Sequence, residues 1–172
     1  MSRLALPLAM FVLFLVEGTI FQVLFSGSTS GGWQFVPHFM FILIVLTGIF
    51  RGRSHGLFYS IMFGVLYDIV YGPVLGVYTF GFALFTYLFS LSFSSVKRSL
   101  RMLTAVVMTA VIFLEYYSYG MMSILGITTQ AHDSLFLDRF LPTFLMNLAV
   151  AAFMVMPVRY WFYSVDGRSD DR

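Results

Sequence analysis

Apolar residues run almost unbroken over six stretches, roughly 4–25, 34–50, 54–71, 75–95, 102–124 and 139–161. Each comes close to the ~20 residues a helix needs to cross ~30 Å of hydrocarbon. A soluble domain of this length has too high a surface-to-volume ratio to hide so much apolar surface. Of the 172 residues, 59% are hydrophobic and 10% charged, where an ordinary soluble domain carries about 25% charged residues. A bilayer removes the difficulty by acting as the solvent. In lipid the backbone must satisfy its own hydrogen bonds, which leaves helices or closed barrels. Alternating apolar and polar strands are missing from the pattern, so helices are expected rather than a barrel. The expected architecture is all-α: a polytopic membrane protein of about six transmembrane helices. It forms a single transmembrane domain over 1-163, followed by a short cytoplasmic tail, 164-172. The first run is longer than the ~7–15 apolar residues of a secretory leader, so it is read as a span that stays attached.

The basic residues set the orientation. Numbering the connections alternately places Arg3, Arg51, Arg53, Lys97, Arg98, Arg101, Arg159, Arg168 and Arg172 on one side, and Arg139 alone on the other. Lys and Arg mark cytoplasmic connections, so both termini are expected in the cytoplasm and the odd-numbered spans run outward. The larger outer loops fall at about 26–33 and 125–138, and the junction at Tyr71-Gly72-Pro73 reads as a tight outer turn or a shallow re-entrant piece. Trp33 and Trp161 lie at span ends, as an interfacial aromatic belt would place them.

Three acids lie inside apolar runs, where a charge is costly and usually faces the protein interior or marks function. Glu17 follows Arg3 by 14 residues, Asp68 follows Arg53 by 15, and Glu115 follows Arg101 by 14. At 1.5 Å per residue, each acid sits about 21–23 Å from a cytoplasmic anchor, in the outer half of the membrane. On inward-running spans, His38 and Asn147 precede Arg51 and Arg159 by 13 and 12 residues, at about the same level. These residues define a candidate intramembrane polar layer: Glu17, His38, Asp68, Glu115 and Asn147, with Arg139 at its outer edge. Arg139 is expected to pair with Glu115, and Asp138 competes for it.

Small residues add a packing signal. Gly56, Ser60, Gly64, Asp68 and Gly72 recur every four residues and form a stripe on which helices approach closely. Thr143, Asn147 and Ala151 repeat the pattern, as do Ala5 and Ala9 more weakly. Burial of the acids has two readings: a structural tie between helices, which carries more weight, or a ligand, ion or partner site.

Other chemistry is largely excluded. With no cysteine, disulfides and thiolate metal sites cannot form. His38, His55 and His132 show no metal-ligand spacing. The glycine-rich segment Gly27 to Gly32 lacks the Lys-Ser/Thr ending of a phosphate loop. No nucleophile sits beside a base. Neither an enzyme, a cofactor nor nucleic-acid binding is expected. The cluster Lys97, Arg98 and Arg101 suits anionic lipid or a cytoplasmic partner.

These features in their order resemble the MreD family of bacterial rod shape-determining proteins. The resemblance rests on Val16-Glu17-Gly18, Pro37-His38-Phe39, Gly64-Val65-Leu66-Tyr67-Asp68 with Leu75-Gly76-Val77-Tyr78, and Leu114-Glu115-Tyr116-Tyr117. It continues through Leu137-Asp138-Arg139-Phe140-Leu141-Pro142-Thr143, Asn147, and Pro157 with Arg159. It implies a cytoplasmic-membrane subunit of the cell-wall elongation (rod) complex that scaffolds or regulates lateral peptidoglycan synthesis without catalysis. The implied partners are an MreC-like bitopic protein, the actin-like MreB, RodA and its class B transpeptidase. The implied fold is that of the substrate-binding subunits of energy-coupling-factor transporters. That likeness motivates an alternative function, a small-molecule-binding subunit of a vitamin transporter of that type.

Overall fold

The computed structural model describes residues 5–21, 35–90, 94–127 and 139–166. Among them every regular element is helical. The elements are α1 (Ala5–Leu15), widening into a π-turn over Val16–Phe21, then α2 (Phe39–Arg51), α3 (Arg53–Val70), α4 (Val77–Phe89), a short α5 (Ser94–Arg98), α6 (Leu100–Ile124) and α7 (Leu141–Asp166). Each of the six apolar runs therefore contains a helix. Leu100–Ile124 and Leu141–Tyr163 are both long and apolar enough to cross a membrane. Trp33, His132, Asp138 and the greater part of the two loops expected on the outer side and of the expected tail lie outside the described residues.

The middle of the bundle is α2, which packs against α1, α3, α4, α6 and α7. Its sequence, FMFILIVLTGIFR, has no polar stripe, and a helix apolar on all sides belongs in a core. Every residue from Phe39 to Phe50 is buried. At 13 residues it is only about 20 Å long, and so is α4, also 13 residues. Both are about half the length of α6 and α7, which run to 25 and 26 residues.

Glycines set the joints. Gly52 alone separates α2 from α3 and takes φ 100° and ψ 160°, a conformation open to few other residues. Gly76 precedes α4 at φ 98°. Along the small-residue stripe, Gly56, Ser60, Gly64 and Asp68 are buried. A Cβ on Gly56 would stand 2.8 Å from the Gly48 Cα on α2, and one on Gly64 would stand 2.7 Å from the Thr79 Cα on α4. The stripe thus brings α3 against both short helices.

Two packing expectations change. Gly72 does not extend the stripe: α3 ends at Val70, and the Gly72 amide closes the turn by donating to the carbonyls of Tyr67 and Asp68. On α1 the buried face is Leu6, Met10 and Phe14, while Ala9 is exposed. Larger apolar side chains fill the space at α2, so the alanine pair is not the contact surface.

Candidate functional site

Three helix starts and three acids organise the polar interior. The first amides of any helix lack intrahelical acceptors, and a carboxylate there also meets the positive end of the helix dipole. Where a helix begins inside apolar packing, water cannot supply the missing partners.

Glu17, in the π-turn that ends the first helix, accepts from the Met40 amide at 3.0 Å. Met40 is the second residue of α2, so an acid on one helix closes the start of the next. The Tyr67 hydroxyl also reaches this carboxylate. Tyr71 lies over Gly18, where any Cβ would collide with its hydroxyl.

The chain entering α2 is pinned from the opposite side by α7. The His38 amide donates to Asn147 Oδ1 at 2.9 Å, and Asn147 Nδ2 donates to the carbonyls of Val36 and Thr143, both at 2.9 Å. The Val36 amide donates to Thr143 Oγ1 at 3.1 Å. One asparagine and one threonine therefore satisfy three backbone groups of a non-helical segment. Thr143, Asn147 and Ala151 are all buried on this face of α7.

Glu115 on α6 completes the node. Its Oε1 accepts from Arg139 Nε at 2.7 Å, and its Oε2 pairs with His38 Nε2 at 2.9 Å. Glu115 is 2% exposed and His38 1%. Arg139 stands just before α7, so this acid also meets the start of the helix that follows its own. Glu17, His38, Glu115, Asn147 and Arg139 thus converge around the entry to α2.

Asp68 stands apart from that node. It accepts from the amides of Gly76 (3.0 Å), Tyr78 (2.8 Å) and Thr79 (2.9 Å), and from the Thr79 hydroxyl. Its carboxylate is the cap of α4. Tyr78 lies within electrostatic reach of both Asp68 and Glu115, and its ring centroid is 4.7 Å from that of Tyr67, so aromatic rings connect the two groups.

Each acid therefore serves the start of the helix after its own: Glu17 for α2, Asp68 for α4, and Glu115 for α7 through Arg139. Sequence reasoning by depth placed these residues at one level and paired Arg139 with Glu115, without showing what Glu17, His38, Asp68 and Asn147 bond. Thr79, Tyr67 and Gly18 were missed as members of the constellation. The available signal was their adjacency to the acids in the motifs Glu17-Gly18 and Tyr67-Asp68, and the glycine break before Thr79. Among the described residues no cluster of His, Asp and Glu could hold a metal ion.

A family model described as rod shape-determining protein MreD matches residues 2–165. A relative, the rod shape-determining protein MreD of Bacillus subtilis (strain 168), is 32% identical over 165 residues, which is 96% of each chain. No solved structure matches. With that family match covering nearly the whole chain, and two apolar helices of membrane length, the chain belongs to the MreD family of rod shape-determining membrane proteins.

Proposed function

We propose that this chain is a non-enzymatic, multi-pass subunit of the bacterial cell-wall elongation complex, acting by scaffolding or regulating lateral peptidoglycan synthesis. Its partners on this reading are an MreC-like bitopic protein, the actin-like MreB, RodA and its class B transpeptidase. It lies in the cytoplasmic membrane with six spans over 1-163, both termini cytoplasmic, and the tail 164-172 beyond the last span. Its helices follow the arrangement of the transporter substrate-binding subunits.

The observation that carries the reading is the family match over residues 2–165. The polar interior supports it in a second way. Glu17, Asp68, Glu115 and Asn147 are each taken up by hydrogen bonds to backbone or to neighbouring side chains. A polar layer used for holding helix starts favours a scaffold. The matched family gives the vitamin-transporter alternative no support.

Depletion of the protein in its rod-shaped host tests the reading. Rods should round into spheres, and an MreC-like single-span protein should copurify from mildly solubilised membranes. Unchanged rods on depletion contradict it.

A further inference from the structure

A cavity of about 310 Å³ lies between α6 and α7, at the small end of the range for ligand pockets. Val111, Phe140 and Phe144 form apolar walls, and Ile112, Tyr116 and Leu141, all exposed, stand toward its open side. Glu115 lines its polar end, holding Arg139 at 2.7 Å. Because α6 and α7 are the two helices of membrane length, the depth of this cavity can be set without the other spans. Arg139 precedes Arg159 by 20 residues, about 30 Å along a helix, which is the thickness of the hydrocarbon core. Arg139 therefore stands at the outer headgroup boundary, and the cavity runs inward beneath it.

Arg139 is the one cation that the charge pattern assigns to the outer side. Its side chain is 23% exposed, and Glu115 is its only hydrogen-bond partner among the described residues. A guanidinium has five donors, so one carboxylate does not exhaust it. The site thus pairs a cation at headgroup level with an apolar slot below.

We propose that the cavity between α6 and α7 binds one anionic phospholipid, its phosphate on Arg139 and an acyl chain in the slot. The volume favours a chain over a single side chain of a partner helix. At roughly 30 Å³ per water-sized group it has room for about ten such groups. The donors of Arg139 that no described residue takes up favour an anion over a neutral headgroup. This goes beyond the role in cell shape and stands or falls separately from it.

The test is native mass spectrometry of the full-length protein in mild detergent, titrated with phosphatidylglycerol or with phosphatidylcholine bearing the same acyl chains. One phosphatidylglycerol per chain should be retained about tenfold more strongly than phosphatidylcholine, as expected for a charge-assisted contact. Ile112→Trp, which fills the slot from its mouth, should remove that bound lipid. Arg139→Gln should abolish the preference for the anion, and Arg139→Lys should keep it. Leu141→Trp serves as a second filler; matching thermal melting curves certify that the filled variants are folded, and a single cooperative melt at lower temperature certifies Arg139→Gln. Equal retention of the two lipids by the unmodified protein would overturn the proposal. So would undiminished phosphatidylglycerol in a folded slot-filled variant, or loss of lipid only when a transmembrane peptide is added.

Discussion

Breaking the Glu115–Arg139 pair gives the sharpest energetic test of the polar node. Glu115 is 2% exposed and holds two partners, Arg139 at 2.7 Å and His38 at 2.9 Å. Hydrogen bonds to charged groups contribute about 1.5–3 kcal/mol, and removing one member of a buried pair costs about 3–5 kcal/mol. Glu115→Gln strands a guanidinium that is 23% exposed and can recruit water, so its cost belongs at the lower end, about 2–3 kcal/mol. Arg139→Gln leaves a nearly inaccessible carboxylate with His38 as its remaining partner and should cost more, about 3–5 kcal/mol. The double variant places two neutral amides face to face, and its loss should fall short of the sum of the singles by about 2–3 kcal/mol. Equilibrium unfolding of the four proteins in mixed micelles measures this coupling. Additivity to within about 0.5 kcal/mol would refute the claim that the two side chains act as one unit.

The remaining expectations concern packing and caps. Gly64→Val should force α3 from α4, because its Cβ meets backbone at 2.7 Å, and should lower stability by about 1–3 kcal/mol. Gly120→Ala on α6 meets nothing within 4 Å and should be neutral or stabilising by up to ~1 kcal/mol; thermal melts of the two variants compare them directly. Asn147→Leu removes the acceptor of the His38 amide and the donor to Val36. Backbone hydrogen exchange at 36–40 should rise by more than tenfold, since each buried group left unsatisfied costs about 1–3 kcal/mol.

How far the sequence could be read depended on the kind of signal. Helix positions were legible wherever apolar runs end at cations, and the run 102–124 anticipates α6, Leu100–Ile124, closely. The pairing of Arg139 with Glu115 was the preferred one of two in the sequence, and the structure holds it at 2.7 Å, while the competing Asp138 lies outside the described residues. The short start of α2 was not legible. Pro37 and His38 continue an apolar run, and hydropathy does not distinguish an extended apolar segment from a helical one. The roles of Glu17 and Asp68 as caps were hidden for a related reason. A cap depends on where the chain re-enters the bundle, and the acid and the amides it serves lie 23 residues apart for Glu17 and 8–11 for Asp68. The buried face of α1 was misjudged because small residues are common on lipid-facing surfaces too, whereas Leu6, Met10 and Phe14 are placed inward by fit to α2.

The account turns on cations lying toward the cytoplasm and the acid-capped helix starts lying in the outer half of the membrane. Because the chain has no cysteine, Ser54→Cys, exposed beside Arg53 at the start of α3, provides a single reporter. An impermeant maleimide should label it in inverted membrane vesicles and leave it unlabelled in intact cells. Labelling from outside intact cells would contradict the orientation and, with it, the depth assigned to Glu17, Asp68 and Glu115.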